Sequence, residues 1–170
     1  MKQVKLIYGS DTGQTEHVID TYFLNELTNH SFKYELVEVA DVTSSDWESH
    51  DFYILGIPTW YDGELQSDWE DYFEEFKTID FTGKTVAIFG LGDQIGYDEW
   101  FCDGVGILAE VVISNGGKLI GKWPKDKSYT FTTFPKCLID ETTFYGLTLD
   151  EDNQDNLTQT RCVEWFKQIS

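Results

Sequence analysis

Phe52-Tyr53-Ile54-Leu55-Gly56-Ile57-Pro58-Thr59-Trp60-Tyr61-Asp62-Gly63-Glu64-Leu65 is the stretch that decides the fold. From Phe52 to Ile57 the apolar character is nearly continuous, as in a strand covered on both faces by helices; a strand with one wet face would alternate. Working outward, short apolar and β-branched segments recur at Val4 to Tyr8, Tyr34 to Val39, Thr85 to Phe89 and Lys118 to Trp123. Helix-length stretches lie near Gly13 to Leu27, Leu65 to Phe76, Phe101 to Asn115 and Thr158 to Ile169, and Gly116-Gly117 offers the third of them a stop. The alternation predicts an α/β fold with a five-stranded parallel sheet. Between about 124 and 146 the pattern breaks into polar and aromatic residues with Pro124 and Pro135, which predicts an insertion in or beside the last strand.

With 170 residues, 41% hydrophobic and 16% aromatic, the chain is long enough for one substantial core, so a single domain over 1–170 is expected. No apolar run approaches the roughly 20 residues that span a bilayer, and Met1 to Lys5 leads straight into a strand-like segment, so a soluble, cytoplasmic protein is expected. Cys102, Cys137 and Cys162 are odd in number and widely spaced, and His17, His30 and His50 lack ligand-like spacing. Reduced structural thiols and no metal site follow. The net charge is −19, and from Tyr34 to Phe76 thirteen Asp or Glu residues stand with no Lys or Arg. Such a surface repels nucleic acid and anionic membranes and calls for basic protein partners whose docking weakens with salt.

Three loops follow the carboxyl ends of predicted strands, the edge where open α/β sheets hold ligands. The first is Gly9-Ser10-Asp11-Thr12-Gly13-Gln14-Thr15. Small hydroxyl residues and glycine at a helix start suit a phosphate. Neither a Walker loop nor a G-x-G-x-x-G fingerprint is present, and no Lys or Arg occurs between Leu6 and Phe32. Ser10, Thr12 and Thr15 would therefore hold a phosphate by hydroxyls and backbone alone; the plainer alternative is an ordinary capped helix start. The second loop, Pro58 to Leu65, offers Trp60 and Tyr61 as faces for a planar ring, whereas Trp47, Trp69, Trp123 and Trp165 read as packing residues. The third, Gly90-Leu91-Gly92-Asp93-Gln94-Ile95-Gly96-Tyr97, combines close backbone approach with a second aromatic face.

These segments, G-S-D-T-G-Q-T, P-T-W-Y-D-G-E-L-Q and G-L-G-D-Q-I-G-Y, resemble the three FMN-binding loops of flavodoxins. Leu149-Asp150-Glu151-Asp152-Asn153-Gln154 and the insertion resemble the long-chain bacterial branch. The resemblance implies a doubly wound, flavodoxin-like sheet of order 2-1-3-4-5, the arrangement for which flavodoxin is itself the standard example. It also implies one FMN and a low-potential, one-electron carrier, expected to be monomeric, between a flavodoxin/ferredoxin reductase and basic-faced acceptor enzymes.

By position, the resemblance assigns Ser10, Asp11, Thr12, Gly13, Gln14 and Thr15 to the phosphate. It sets Trp60 against one face of the isoalloxazine and Tyr97 against the other, and it brings the backbone around Leu91, Gly92 and Asp93 to the pyrimidine edge. Thr59 and Asp152 fall toward the ribityl chain, with Pro58, Gly63, Trp100, Phe101 and Cys102 completing the set. The peptide implied to turn toward flavin N5 on one-electron reduction is Tyr61–Asp62; neither residue is glycine, so only moderate stabilisation of the half-reduced flavin is expected. Gln14 and Trp100 depart from many relatives, so contacts near the phosphate and the outer flavin edge are expected to differ. An FMN-dependent quinone reductase on the same fold is the main alternative, and a phosphoacceptor signalling domain the second. The latter would need an acidic pair at the first strand end, which Gly9-Ser10-Asp11-Thr12 lacks.

Overall fold

The computed structural model describes residues 1–60 and 62–170. Strand β1 (Gln3–Tyr8) runs through the first loop into α1 (Gln14–Val18), a π-helical turn (Ile19–Phe23) and α2 (Leu24–Asn29). Then come β2 (Lys33–Glu38), β3 (Phe52–Trp60), the short β4 (Glu64–Leu65), α3 (Ser67–Phe76), β5 (Thr85–Leu91), α4 (Asp103–Ser114) and β6 (Lys118–Ile120). The chain closes with β7 (Trp123–Pro124), β8 (Leu138–Asp140), β9 (Thr143–Phe144), β10 (Leu147–Leu149) and α5 (Asp155–Ile169).

The main sheet is ordered β10-β5-β3-β1-β2, with β6 also on β5 and β4 antiparallel to the end of β3. Counting only its principal parallel strands, this is the 2-1-3-4-5 order. The central strand explains itself: Phe52 to Pro58 are all buried, with alternate side chains on opposite faces. Tyr53, Leu55 and Ile57 join a cluster with Trp69, Phe76, Val105 and Leu108 from α3 and α4. Ile54 joins Val18, Phe23, Leu27, Trp165 and Phe166 from the helices of the other face. Two dry layers per strand leave no solvated face to alternate with.

The last strand differs from the expected Lys118 to Trp123. It is split: β6 pairs Lys118 with Thr85, β10 pairs Leu147 with Phe89, and both lie parallel to β5. The chain leaves the sheet at Gly121, which takes the left-handed φ of 78° and packs so closely against Trp165 that a Cβ there would sit 2.7 Å from its indole nitrogen. The insertion thus interrupts the strand, and it forms a three-stranded antiparallel sheet, β7-β9-β8. Its Tyr129, Phe131 and Phe144 pack with Phe101, with ring centroids 4.8 to 6.4 Å apart.

One buried charge stabilises the sheet where hydrophobicity gives no hint of it. Lys5, in the middle of β1, is 3% exposed, and its ammonium meets Asp46 at 2.7 Å, Ser49 Oγ at 2.9 Å and Glu35 at 3.3 Å. Trp47, Trp69 and Trp165 are buried, and their indole N–H groups donate to Tyr72 Oη, the Gly56 carbonyl and the Gly121 carbonyl. Cys102, Cys137 and Cys162 are buried and free. Among the described residues no helix is long and apolar enough to cross a membrane.

Candidate cofactor site

The carboxyl ends of β1, β3, β5 and β10 bring four loops to one edge. In the first, Gly9 lies so close to Gln66 and Trp69 that a Cβ would overlap the Gln66 amide. Gln66 is fully buried and joins this loop to α3: its amide donates to Asp11 at 2.8 Å and Asp68 at 2.9 Å, while its carbonyl oxygen accepts from Trp69 N–H. Asp11 also accepts from the Ser67 hydroxyl at 2.7 Å. Its carboxylate is therefore turned toward α3, and its role is to brace the loop.

The remaining polar atoms of that loop are arranged differently. Gly13, at φ 81°, stands at the helix start with no side-chain cap, so the first N–H groups of α1 have neither a preceding carbonyl nor a capping oxygen. Ser10 Oγ and Thr15 Oγ1 are buried and have no hydrogen-bond partner among the described residues. Two such hydroxyls cost the fold about 1–3 kcal/mol each. They and the uncapped helix start fit a terminal phosphate, which would accept from all of them.

Beside this cradle lies a narrow slot of about 130 Å³, lined by Gln14, Pro58, Thr59, Trp60, Leu91, Gly92, Asp93, Tyr97, Glu151 and Asp152. No cation lines it. Two of its lining residues are aromatic: Trp60 is half-buried and Tyr97 is 41% exposed. The Thr59 hydroxyl accepts from Gly104 N–H at 3.0 Å, which fixes the start of α4. A larger cavity of about 620 Å³ opens at the opposite edge of the sheet, among Lys2, His50, Asp51, Thr85 and Ile169. It is remote from every strand end that carries a loop of this kind, so size does not identify the site.

Asp93 lines the slot with one carboxylate oxygen bound within the loops beside it. The same oxygen accepts from Ile95 N–H at 3.0 Å, Gly96 N–H at 2.7 Å and Asn153 Nδ2 at 2.8 Å. Burial alone would raise its pKa, but the Gly96 N–H, the Asn153 amide and the Ile95 N–H together hold it below its ordinary value. Asp11 is likewise held low, burial being outweighed by the Ser67 hydroxyl, the Gln66 amide and the Ser67 N–H. Asp103, under Gly63 and Trp100, goes the other way: burial raises it, and the Lys136 N–H that it accepts at 2.7 Å offsets this only in part.

The signs fix the acid response. Carboxyls held low in the folded state stabilise it above their unfolded value, and that contribution is lost as pH falls through the folded one; for Asp103 ionisation costs stability, and acid relieves the cost. The thermal midpoint of the cofactor-free protein is expected to stay level from neutral to about pH 5 and to fall below about pH 4. Asp11→Asn and Asp93→Asn should each flatten that fall, as followed by circular dichroism. An equally steep fall in both variants would contradict these carboxylates' role.

Of the other residues singled out from sequence, Thr12 and Asp62 are exposed and Gly63 carries φ 83°, which places a left-handed position of the second turn at glycine. Tyr61 lies outside the described residues, and with it the Tyr61–Asp62 peptide. Trp100 packs over Gly63, within 3.0 Å of where a Cβ would stand, and so joins the second and third loops. Phe101 and Cys102 are buried behind Gly92, which leaves only their backbone for a ligand. Sequence reading passed over Gln66 as a brace and also over Asp150 and Asn153. Asp150 is fully buried and accepts from Gln94 N–H and from both nitrogens of Asn153; nothing in composition separates it from the exposed acids around it.

Comparison with known proteins adds whole-chain likeness. The profile of the family described as Flavodoxin matches residues 6–165. A flavodoxin of Haemophilus influenzae is 41% identical over 172 residues, 99% of this chain and 94% of that protein. Flavodoxin 1 of Escherichia coli K12 is 41% identical over 168 residues, 97% and 91%. Among solved structures, a Fusobacterium nucleatum flavodoxin bound to flavin mononucleotide superposes with a TM-score of 0.90 at 32% identity, covering 99% of this chain and 97% of that one.

Proposed function

This chain belongs to the flavodoxin family, and on that premise we propose that it holds one FMN in the slot between Trp60 and Tyr97 and carries electrons singly between larger redox proteins. The observation that carries this reading is the pair of buried, unpartnered hydroxyls, Ser10 Oγ and Thr15 Oγ1, at an uncapped helix start beside an aromatic-walled slot. Bound FMN would supply the redox chemistry, accepting and releasing electrons at its ring system. The chain's own residues bind, orient and bias it.

Ser10, Thr12, Thr15 and the N–H groups from Gly13 onward would hold the phosphate. Trp60 and Tyr97 would cover the two ring faces, Gly92 would let backbone approach the pyrimidine edge, and Thr59 and Asp152 would face the ribityl chain. Because no cation lines the slot while Glu151, Asp152 and Asp93 do, added negative charge on the ring is disfavoured. A unit charge at roughly 10 Å, with an effective dielectric of 20 to 80, contributes about 0.4 to 1.7 kcal/mol before screening. About 1.4 kcal/mol corresponds to roughly 59 mV for one electron, so several acids lower the second reduction potential by on the order of 100 mV.

With Trp60 and Tyr97 over its two faces, a bound ring would leave neither face open to a substrate, which favours a carrier over a quinone reductase. We further assign a reductase and basic-faced acceptors as partners, by charge complementarity with a chain of net charge −19. Anaerobic reductive titration of the FMN-loaded protein tests the reading: two separate one-electron steps are expected, with no oxidation of NADH or NADPH by the protein alone. A single two-electron step, or unaided nicotinamide oxidation, would count against it.

A further inference from the structure

We propose that Arg161 is a positioning residue of the flavin site, which locks the insertion and the start of α5 together so that the third and fourth loops are held at fixed geometry around the ring. The proposal rests on the FMN reading above. Arg161 is the only arginine in the chain, is 6% exposed, and forms no ion pair within 4 Å among the described residues. The carboxylate of Asp126 is near enough to feel its charge but does not pair with it directly, so the buried guanidinium depends on its other contacts.

Those contacts converge. The guanidinium carbon lies 4.3 Å from the centroid of the Tyr129 ring. Nη2 donates both to Ser128 Oγ at 2.8 Å and to Gln154 Oε1 at 2.7 Å. Ser128 and Tyr129 belong to the insertion, whereas Gln154 stands at the N-terminus of α5. The amide of Gln154 returns to the Ser128 carbonyl, and Tyr129 Oη donates to the Thr148 carbonyl at 2.7 Å on β10. One planar cation therefore joins the insertion to the chain on both sides of the fourth loop.

From there the path to the slot is continuous. Gln154 N–H donates to the Asp150 carbonyl at 2.8 Å. The Asp150 carboxylate accepts from Gln94 N–H at 3.2 Å and from Asn153, whose amide also holds Asp93 at 2.8 Å. On the insertion side, Thr130 N–H donates to Gln94 Oε1 at 3.0 Å. Gln94 is thus gripped from both ends of the Arg161 contacts, and its neighbours Gly92, Asp93 and Tyr97 line the slot or stand beside it. The phosphate cradle shares none of these bonds.

The separation between ring side and phosphate side gives the test. FMN and riboflavin are titrated into cofactor-free wild type, Arg161→Met, which keeps a long apolar stem, and Arg161→Lys, with flavin fluorescence as readout. Arg161→Met is expected to weaken both ligands by the same factor, about tenfold, leaving the FMN-to-riboflavin ratio unchanged. Arg161→Lys should recover little, since an ammonium cannot lie flat on Tyr129 while reaching Ser128 and Gln154. Amide hydrogen exchange of the cofactor-free protein should quicken at residues 92–97 in Arg161→Met and stay unchanged in β1 and α3.

If Arg161→Met does not fold, Ser128→Ala, which removes one partner, carries the same comparison with a factor of about three. Unchanged affinities and exchange in a folded variant, a loss confined to FMN, exchange quickened throughout, or full recovery with lysine would each overturn the proposal. Wild type that binds neither ligand contradicts the flavin reading instead, so the two failures are distinguishable.

Discussion

Replacing the two buried hydroxyls together, Ser10→Ala with Thr15→Val, is expected to weaken FMN binding by about 10²- to 10⁴-fold and to leave riboflavin binding nearly unchanged. Each hydroxyl has no partner in the cofactor-free protein, and each would donate to a phosphate dianion. A hydrogen bond to a charged group contributes about 1.5–3 kcal/mol, or roughly tenfold to a hundredfold in affinity. The same argument fixes the sign of a second readout. Since the cofactor-free fold carries both groups unsatisfied, the double variant should be more stable by about 2 kcal/mol or more in urea unfolding. A loss of stability with unchanged FMN affinity would mean that the hydroxyls serve the fold alone.

Asp150→Ala is expected to be the most damaging single change at the flavin edge, costing about 3 kcal/mol of stability. The carboxylate is fully buried and accepts from Gln94 N–H, Asn153 N–H and the Asn153 amide. Alanine leaves all three donors without that acceptor, and Gln94, only 3% exposed, is the one that water cannot readily serve. The third loop then loses its Gln94 tie to the fourth, and the Asn153 amide that holds Asp93 loses its anchor on Asp150. Asp150→Asn keeps the shape and one acceptor oxygen, so it should retain more of the stability. Urea unfolding with near-ultraviolet circular dichroism checks both; equal loss in the two variants would show that charge, not hydrogen-bond satisfaction, is what this position supplies.

How much of this was legible in the sequence follows from where each residue's partners lie. The strands covered on both faces announced themselves, since burial of Phe52 to Pro58 is written in adjacent letters. The three loops were legible for the same reason: cap-type residues, glycines and aromatics cluster within each. The split in the last strand was not, because Gly121 is required by Trp165, 44 residues away, and a glycine within an apolar run reads equally as strand interior. The side-chain ties of Lys5, Gln66 and Asp11 were not legible because they come from partners 41 to 56 residues distant. Asp11 looks like a phosphate-loop residue and sits in that loop, yet its carboxylate is bound to α3.

The central claim is that a flavin ring is held between Trp60 and Tyr97. Its most direct test is titration of the cofactor-free protein with FMN while flavin fluorescence is followed. Stacking on two aromatic faces predicts near-complete quenching that ends sharply at one FMN per chain, with Trp60→Ala and Tyr97→Ala each quenching less completely. Fluorescence that stays that of free FMN at every ratio would contradict the account.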